Sequence, residues 1–279
     1  MSSEPDYNYD SEFVKLLTRR TDIDLAAVAL EVARDAEPEL SFLPTFRWLD
    51  ARAEEIAGAV ARAKSEAEAL RELSDCIASQ HGIFGDADAY SRPEGSFLHR
   101  VIQTKRGIPL SLSLLYAAVA ERLGMELRGV AAPMHFLTRY ESIEGPLFID
   151  AFNRGRVLTY GECAQWIGEM VGQSPESIQP SLRSARPRTI VIRMLNNLKT
   201  LYSRQQNWAD AWNVQHRLAA LQPGAYGERR DLALMSLQTN RPGHAIDLLQ
   251  SCISDCPDDE RQTLLRHLDE ASHQVALLN

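Results

Sequence analysis

Residues 105–124, KRGIPLSLSLLYAAVAERLG, are the stretch on which the fold turns. A basic, glycine-containing turn leads to Pro109 at the first helical position, where the missing N–H would have no intrahelical acceptor anyway. Leu112, Leu115, Val119 and Leu123 then recur at helical spacing, Leu114 and Ala118 widen the stripe, and Gly124 marks the stop. A helix this apolar is mostly buried, so another element must cover it. Its mouth is also where a nucleophile gains from the helix N-terminus. Pro109 fills that place and has no reactive side chain.

Beyond Gly124 the period changes. MELRGVAAPMHFLTRYE and GPLFIDAFN read as strands joined by ESIEG. With Glu141 to Glu144 as the hairpin loop, facing residues sum to 285, so Tyr140 faces Gly145 and His135 faces Asp150. Facing Cβ atoms lie about 4.5–5.5 Å apart, close enough for a carboxylate to fix the imidazole tautomer. Arg139 belongs on the face of His135, and Arg154 and Arg156 follow Asp150 either as charge brought toward the pair or as plain surface charge. RVLTYGECAQWIGEM continues as a short strand or turn and a helix. The class is α+β, with a small antiparallel sheet packed on the 109–123 helix.

Upstream, residues 21–34 read as a helix with Thr21 and Asp24 spaced like a capping box. Residues 48–78 read as one long helical run with Gly58 as a possible bend, then come a loop and a short helix over 96–104. Downstream, residues 174–189 are rich in Ser, Pro and Arg and read as a linker. Residues 207–223, NWADAWNVQHRLAALQP, then align without gaps on 241–257, RPGHAIDLLQSCISDCP, an offset of 34. Ala211 falls on Ala245 and Pro223 on Pro257. A helix–turn–helix period of about 34 residues ending in proline is the tetratricopeptide pattern. The expected organisation is a disordered 1–12, a helical and α+β domain over 13–173, the linker 174–189, and all-α repeats over 190–279.

Net charge is −8 and no apolar run nears membrane-spanning length, so neither nucleic acid nor a membrane is an expected partner. The acidic, polar start is the reverse of a signal peptide. Together with unbridged thiols at Cys76, Cys163, Cys252 and Cys256, it points to the cytoplasm. GxxxxGK[ST], GxGxxG and HExxH are absent. His81 and His99 flank a loop with no carboxylate or cysteine at ligand spacing, so no metal and no cofactor is expected. Trp208 and Trp212, at i and i+4, read as repeat core or as a groove for a protein or peptide partner; the sequence leaves the oligomeric state open.

FLHRVIQTKRGIPLSLSLLYAAVAERLG, APMHFLTRY and LFIDAFNRGRVLT together resemble the SirB-one family. That family has a helical N-terminal part, a transglutaminase-like, papain-related core and C-terminal tetratricopeptide repeats. The resemblance is strong over about residues 20–160, and the repeats agree with it. It implies that Pro109 stands where related enzymes carry the nucleophilic Cys, that Ser113 takes a small packing position, and that His135 and Asp150 take the places of base and orienting acid. The family is regarded as regulatory or accessory. The expectation is a non-catalytic regulator or scaffold with a degenerate site, in which Arg139, Arg154, Trp208 and Trp212 are candidate binding residues. The alternative is a hydrolase or acyl transferase using His135 and Asp150 with an atypical nucleophile, Ser113 lying one turn further in on nearly the face of Pro109.

Overall fold

Side-chain caps and proline starts set the helices. In the computed structural model, which describes residues 7–277, the chain divides into two units. One is 21–194; the other joins the described part of 1–20 to 195 onward. The first helix, α1 (Ser11–Leu17), belongs to the second unit. Residues 1–6 lie outside the described residues, so only 7–12 bear on the expected disorder of 1–12. There Asp10 is buried and Ser11 begins α1, against that expectation.

In the unit 21–194, α2 (Leu25–Arg34) is capped by Asp24, whose carboxylate accepts from the Ala26 and Ala27 amides. Thr21 is therefore not the cap. The long run of 48–78 is two helices, α3 (Leu43–Arg62) and α4 (Glu66–Ser74), separated because Ser65 turns out to cap α4 by accepting from the Glu68 amide. α4 passes into a turn of π-helix at Asp75–Gln80. A two-residue strand β1 (Phe84–Gly85), a helix α5 (Leu98–Thr104) and a strand β2 (Arg106–Gly107) follow, with β1 and β2 parallel.

Helix α6 (Pro109–Arg122) begins where the sequence placed it. Leu112, Leu115, Tyr116, Val119 and Ala120 are fully buried, so α6 is enclosed on nearly every side. The sheet has strands β3 (Arg128–Val130), β4 (Leu137–Ser142), β5 (Gly145–Asp150) and β6 (Arg156–Thr159), antiparallel in chain order. β3 and β4 were expected as one strand. They are separated by a turn in which Met134 takes φ +57°. The β4–β5 loop is two residues, Ile143–Glu144, with Gly145 at φ +117°. Facing residues therefore sum to 287, as in Tyr140 opposite Leu147. The expected register was off by two, which leaves every side chain on its expected face.

α7 (Tyr160–Val171) starts from a capping box of Thr159 and Glu162. The segment 174–189 is not a linker. It contains α8 (Pro175–Ile178) and a turn of 3₁₀-helix, and Ile178 and Leu182 join Leu137, Phe148, Cys163 and Ile167 in one apolar cluster. Ser174 and Pro175 start α8, Ser174 accepting from the Ser177 amide.

The second unit contains the later part of α9 (Pro187–Arg204), then α10 (Trp208–Leu221), α11 (Tyr226–Gln238), α12 (Pro242–Ile253) and α13 (Asp258–Leu277). Ala211 and Ala245 are both fully buried, as the aligned repeats require. The Arg217 guanidinium lies against the Tyr7 and Phe13 rings at 4.7 and 4.6 Å, and Arg217 donates to Asp10 at 2.6 Å.

Candidate functional site

His135 is not within a strand. It follows the Met134 turn, two residues before β4. There the chain no longer keeps the hairpin register, and His135 still meets Asp150, the last residue of β5. Nε2 of His135 lies 2.9 Å from Oδ1 of Asp150. Asp150 is wholly buried and His135 is 6% exposed. Asn153 closes the other side: its Nδ2 donates to Asp150 Oδ2 at 2.6 Å and its amide to Oδ1 at 3.3 Å. The His135 carbonyl accepts from Arg193 of α9 at 2.9 Å. Trp166 of α7 meets the imidazole edge-on, centroids 5.1 Å apart, and Phe152 does so at 6.1 Å. A carboxylate so held fixes the ring and its tautomer.

The loop after Asp150 is fixed by missing side chains. A Cβ on Gly85 would lie 2.2 Å from the Phe152 ring. One on Gly155, at φ +71°, would lie 2.6 Å from Ser74 and 2.7 Å from the Tyr116 hydroxyl. Tyr116 is fully buried, and burial followed by the nearby Asp150 charge pushes its phenol up. Asp150 thus stands within electrostatic reach of Tyr116 on α6 and of Cys163 on α7, whose thiol burial drives up to about 12.

At the mouth of α6, Pro109 is buried. Ser111 donates to the Gly95 carbonyl at 2.6 Å. Ser113 is 1% exposed, and its hydroxyl, like those of Tyr116 and Thr138, has no partner among the described residues. Burial also raises Cys76, to about 11. No thiol of this unit has the depressed pKa of an activated nucleophile.

The other candidates lie apart from the pair. Arg139 gives its guanidinium to Glu141, at 2.8 and 3.1 Å, and to the Leu182 carbonyl. Arg154, at φ +57°, stacks over Phe84 at 3.8 Å, and Arg106 stacks on the same ring at 3.8 Å. In the repeats, Trp212 is core: its Nε1 donates to Ser236 at 2.8 Å and Arg241 covers its ring at 4.0 Å. Trp208 is half-buried and lines a cavity of about 410 Å³ with Asp231, Met235, His267 and Glu270.

Sequence reasoning missed Asn153, Trp166, Tyr116 and Arg193. Asn153 alone left a local signal, an Asx residue three positions after an aspartate in a turn. It also set aside His81 as a ligand, whereas the fold brings Glu55 and Cys76 to it. His99 is buried against Glu37, 3.2 Å away.

A transglutaminase-like superfamily model matches residues 45–196, more than half of the chain, and a tetratricopeptide repeat model matches 198–268. A UPF0162 protein of Xylella fastidiosa is 28% identical over 90% of this chain and 91% of its own. F-box only protein 21 of Mus musculus is 30% identical over 50% of this chain, which is 23% of that protein. Protein SirB1 of Salmonella typhimurium is 24% identical over 77% of this chain and 80% of its own. The chain belongs to the transglutaminase-like superfamily, in a SirB-like group that adds tetratricopeptide repeats.

Proposed function

We propose that this protein is a cytoplasmic regulator or scaffold whose transglutaminase-like core no longer turns over substrate, while its repeats hold a protein or peptide partner. One observation carries the reading: Pro109 occupies the first turn of α6, where the resemblance puts the nucleophile. The nearest substitute, Ser113, is sealed from solvent. Tetratricopeptide repeats, matched here over 198–268, are interaction elements. The test is labelling with thiol- and serine-directed acyl probes, wild type against His135→Ala. The expected result is no His135-dependent labelling. Labelling or turnover that disappears with His135 would overturn the reading.

A second reading, a hydrolase or acyl transferase with an atypical nucleophile, draws on the His135–Asp150–Asn153 chain of hydrogen bonds. Pro109→Cys separates a lost nucleophile from a lost site. If the residual site is otherwise intact, the introduced thiol titrates well below the ordinary value of about 8.5. An ordinary value would mean that His135 and the helix mouth no longer work together.

A further inference from the structure

The turn of π-helix after α4 has a consequence away from His135. In an α-helix, positions five apart point about 140° away from each other. Here the His81 amide donates to the Cys76 carbonyl at 3.0 Å, an i to i+5 bond, and the widened turn returns both side chains to one side. Glu55, on α3, meets them there. His81 Nε2 lies 3.0 and 3.3 Å from the two Glu55 oxygens, and one ligand atom each of Glu55, Cys76 and His81 falls within a single 4.8 Å cluster. Single π turns inside helices are rare and frequently mark functional sites.

The groups around the cluster hold it from outside. Arg52, one turn before Glu55, lies 2.7 Å from Oε2 and stacks over Trp48 at 5.3 Å. Trp48 meets the His81 ring edge-on at 6.0 Å. The carboxylate and the imidazole are therefore both oriented by side chains that are not donors themselves, as outer-sphere partners orient metal ligands.

We infer that Glu55, Cys76 and His81 form a three-donor site for a borderline divalent ion of the zinc type. One sulfur, one imidazole nitrogen and one carboxylate oxygen match that class and not calcium or magnesium, which take oxygen. Cys76 is fully buried and forms the floor, while the side chains of His81 and Glu55 are 27% and 36% exposed. That leaves the fourth tetrahedral position open to water. On binding, the Cys76 S–H bond breaks, its proton passes to solvent, and the thiolate pair forms the metal–sulfur bond, while His81 gives up the Nε2–H it holds toward Glu55 and keeps its ring proton on Nδ1, freeing the Nε2 lone pair for the ion. The ion would join α3 to the end of the α4 π turn.

The experiment uses the full chain, stripped with a chelator and titrated with Co(II), then back-titrated with Zn(II). One equivalent of Co(II) with a sulfur-to-cobalt charge-transfer band, displaced by Zn(II), is expected. Cys76→Ser abolishes the band, and Cys252→Ser and Cys256→Ser keep it. Because Cys76 is buried and its variant could fail to fold, His81→Ala and Glu55→Gln provide the second arm. Each weakens binding by about tenfold or more with an unchanged far-ultraviolet circular dichroism spectrum. Absence of the band at one equivalent, its survival in Cys76→Ser, or wild-type affinity in both His81→Ala and Glu55→Gln would each overturn the site.

Discussion

The two units of this chain hold polar groups in different ways. In the core, one wholly buried carboxyl, Asp150, gathers partners from far along the sequence: His135 before β4, Asn153 in the next loop, and the field it exerts on Tyr116 and Cys163. In the repeats, contacts pass between successive helices, and the positions that matter recur at one period, Ala211 and then Ala245. The core concentrates its dependence in single residues. The repeats spread theirs along the array.

Asp150→Ala is the largest expected break. It leaves the buried imidazole without its acceptor and removes both Asn153 bonds, a loss of about 3–5 kcal/mol by analogy with broken buried pairs. Hydrogen exchange would show β4, β5 and β6 losing protection first. Equal loss of protection in α10 to α13 would erase the contrast between the units.

Acid gives the next effect, in the repeats. His216 is held down to about 4 by burial first, then by His244, Arg217 and Arg241, and its Nδ1 lies 2.6 Å from the Tyr7 hydroxyl. Its folded pKa lies below the ordinary value of about 6.5, so the unfolded chain binds the proton more readily between those values. This contribution to stability is whole above about 6.5, falls as pH drops toward 4, and is then level, a change on the order of 3 kcal/mol. Urea titrations at several pH values would show the slope, and His216→Asn would flatten it. An unchanged slope would remove His216 from the account.

Ala245→Leu tests the repeat packing. Ala245 is fully buried between paired helices, so the larger side chain costs about 1–3 kcal/mol by overpacking. Ala211→Leu should cost a similar amount because it is the same position one repeat earlier. Widely different urea midpoints for the two would break the equivalence. The smallest effect is Thr159→Ala, which removes the α7 capping box at about 1 kcal/mol. Thermal melts of that variant should shift by a few degrees at most.

Local pattern carried most of the fold. The start of α6 and the 34-residue offset are legible because each rests on a period or a cap near the residues concerned. The hairpin register differs by two from the expected one because a four-residue loop over 141–144 is expected, whereas Gly145 at φ +117° allows a two-residue turn. His135 meets Asp150 outside that register, from the Met134 turn two residues before β4. The supposed linker misled because Ser-Pro reads alike as loop and as helix start, and only the burial of Ile178 and Leu182 decides between them. Tyr116, Trp166 and Glu55 left no local signal: each reaches its partners through tertiary packing.

The two glycines beside the Asp150 loop bear on how this site is recognised in other chains. Histidine and aspartate are common, and a sequence can carry both in the right order without bringing them together. A side chain at position 85 or 155 would strike Phe152, Ser74 or Tyr116, so a chain that has one there cannot place its aspartate as this one does. A search for kindred sites is therefore better filtered on what those two positions lack than on the acid and base themselves.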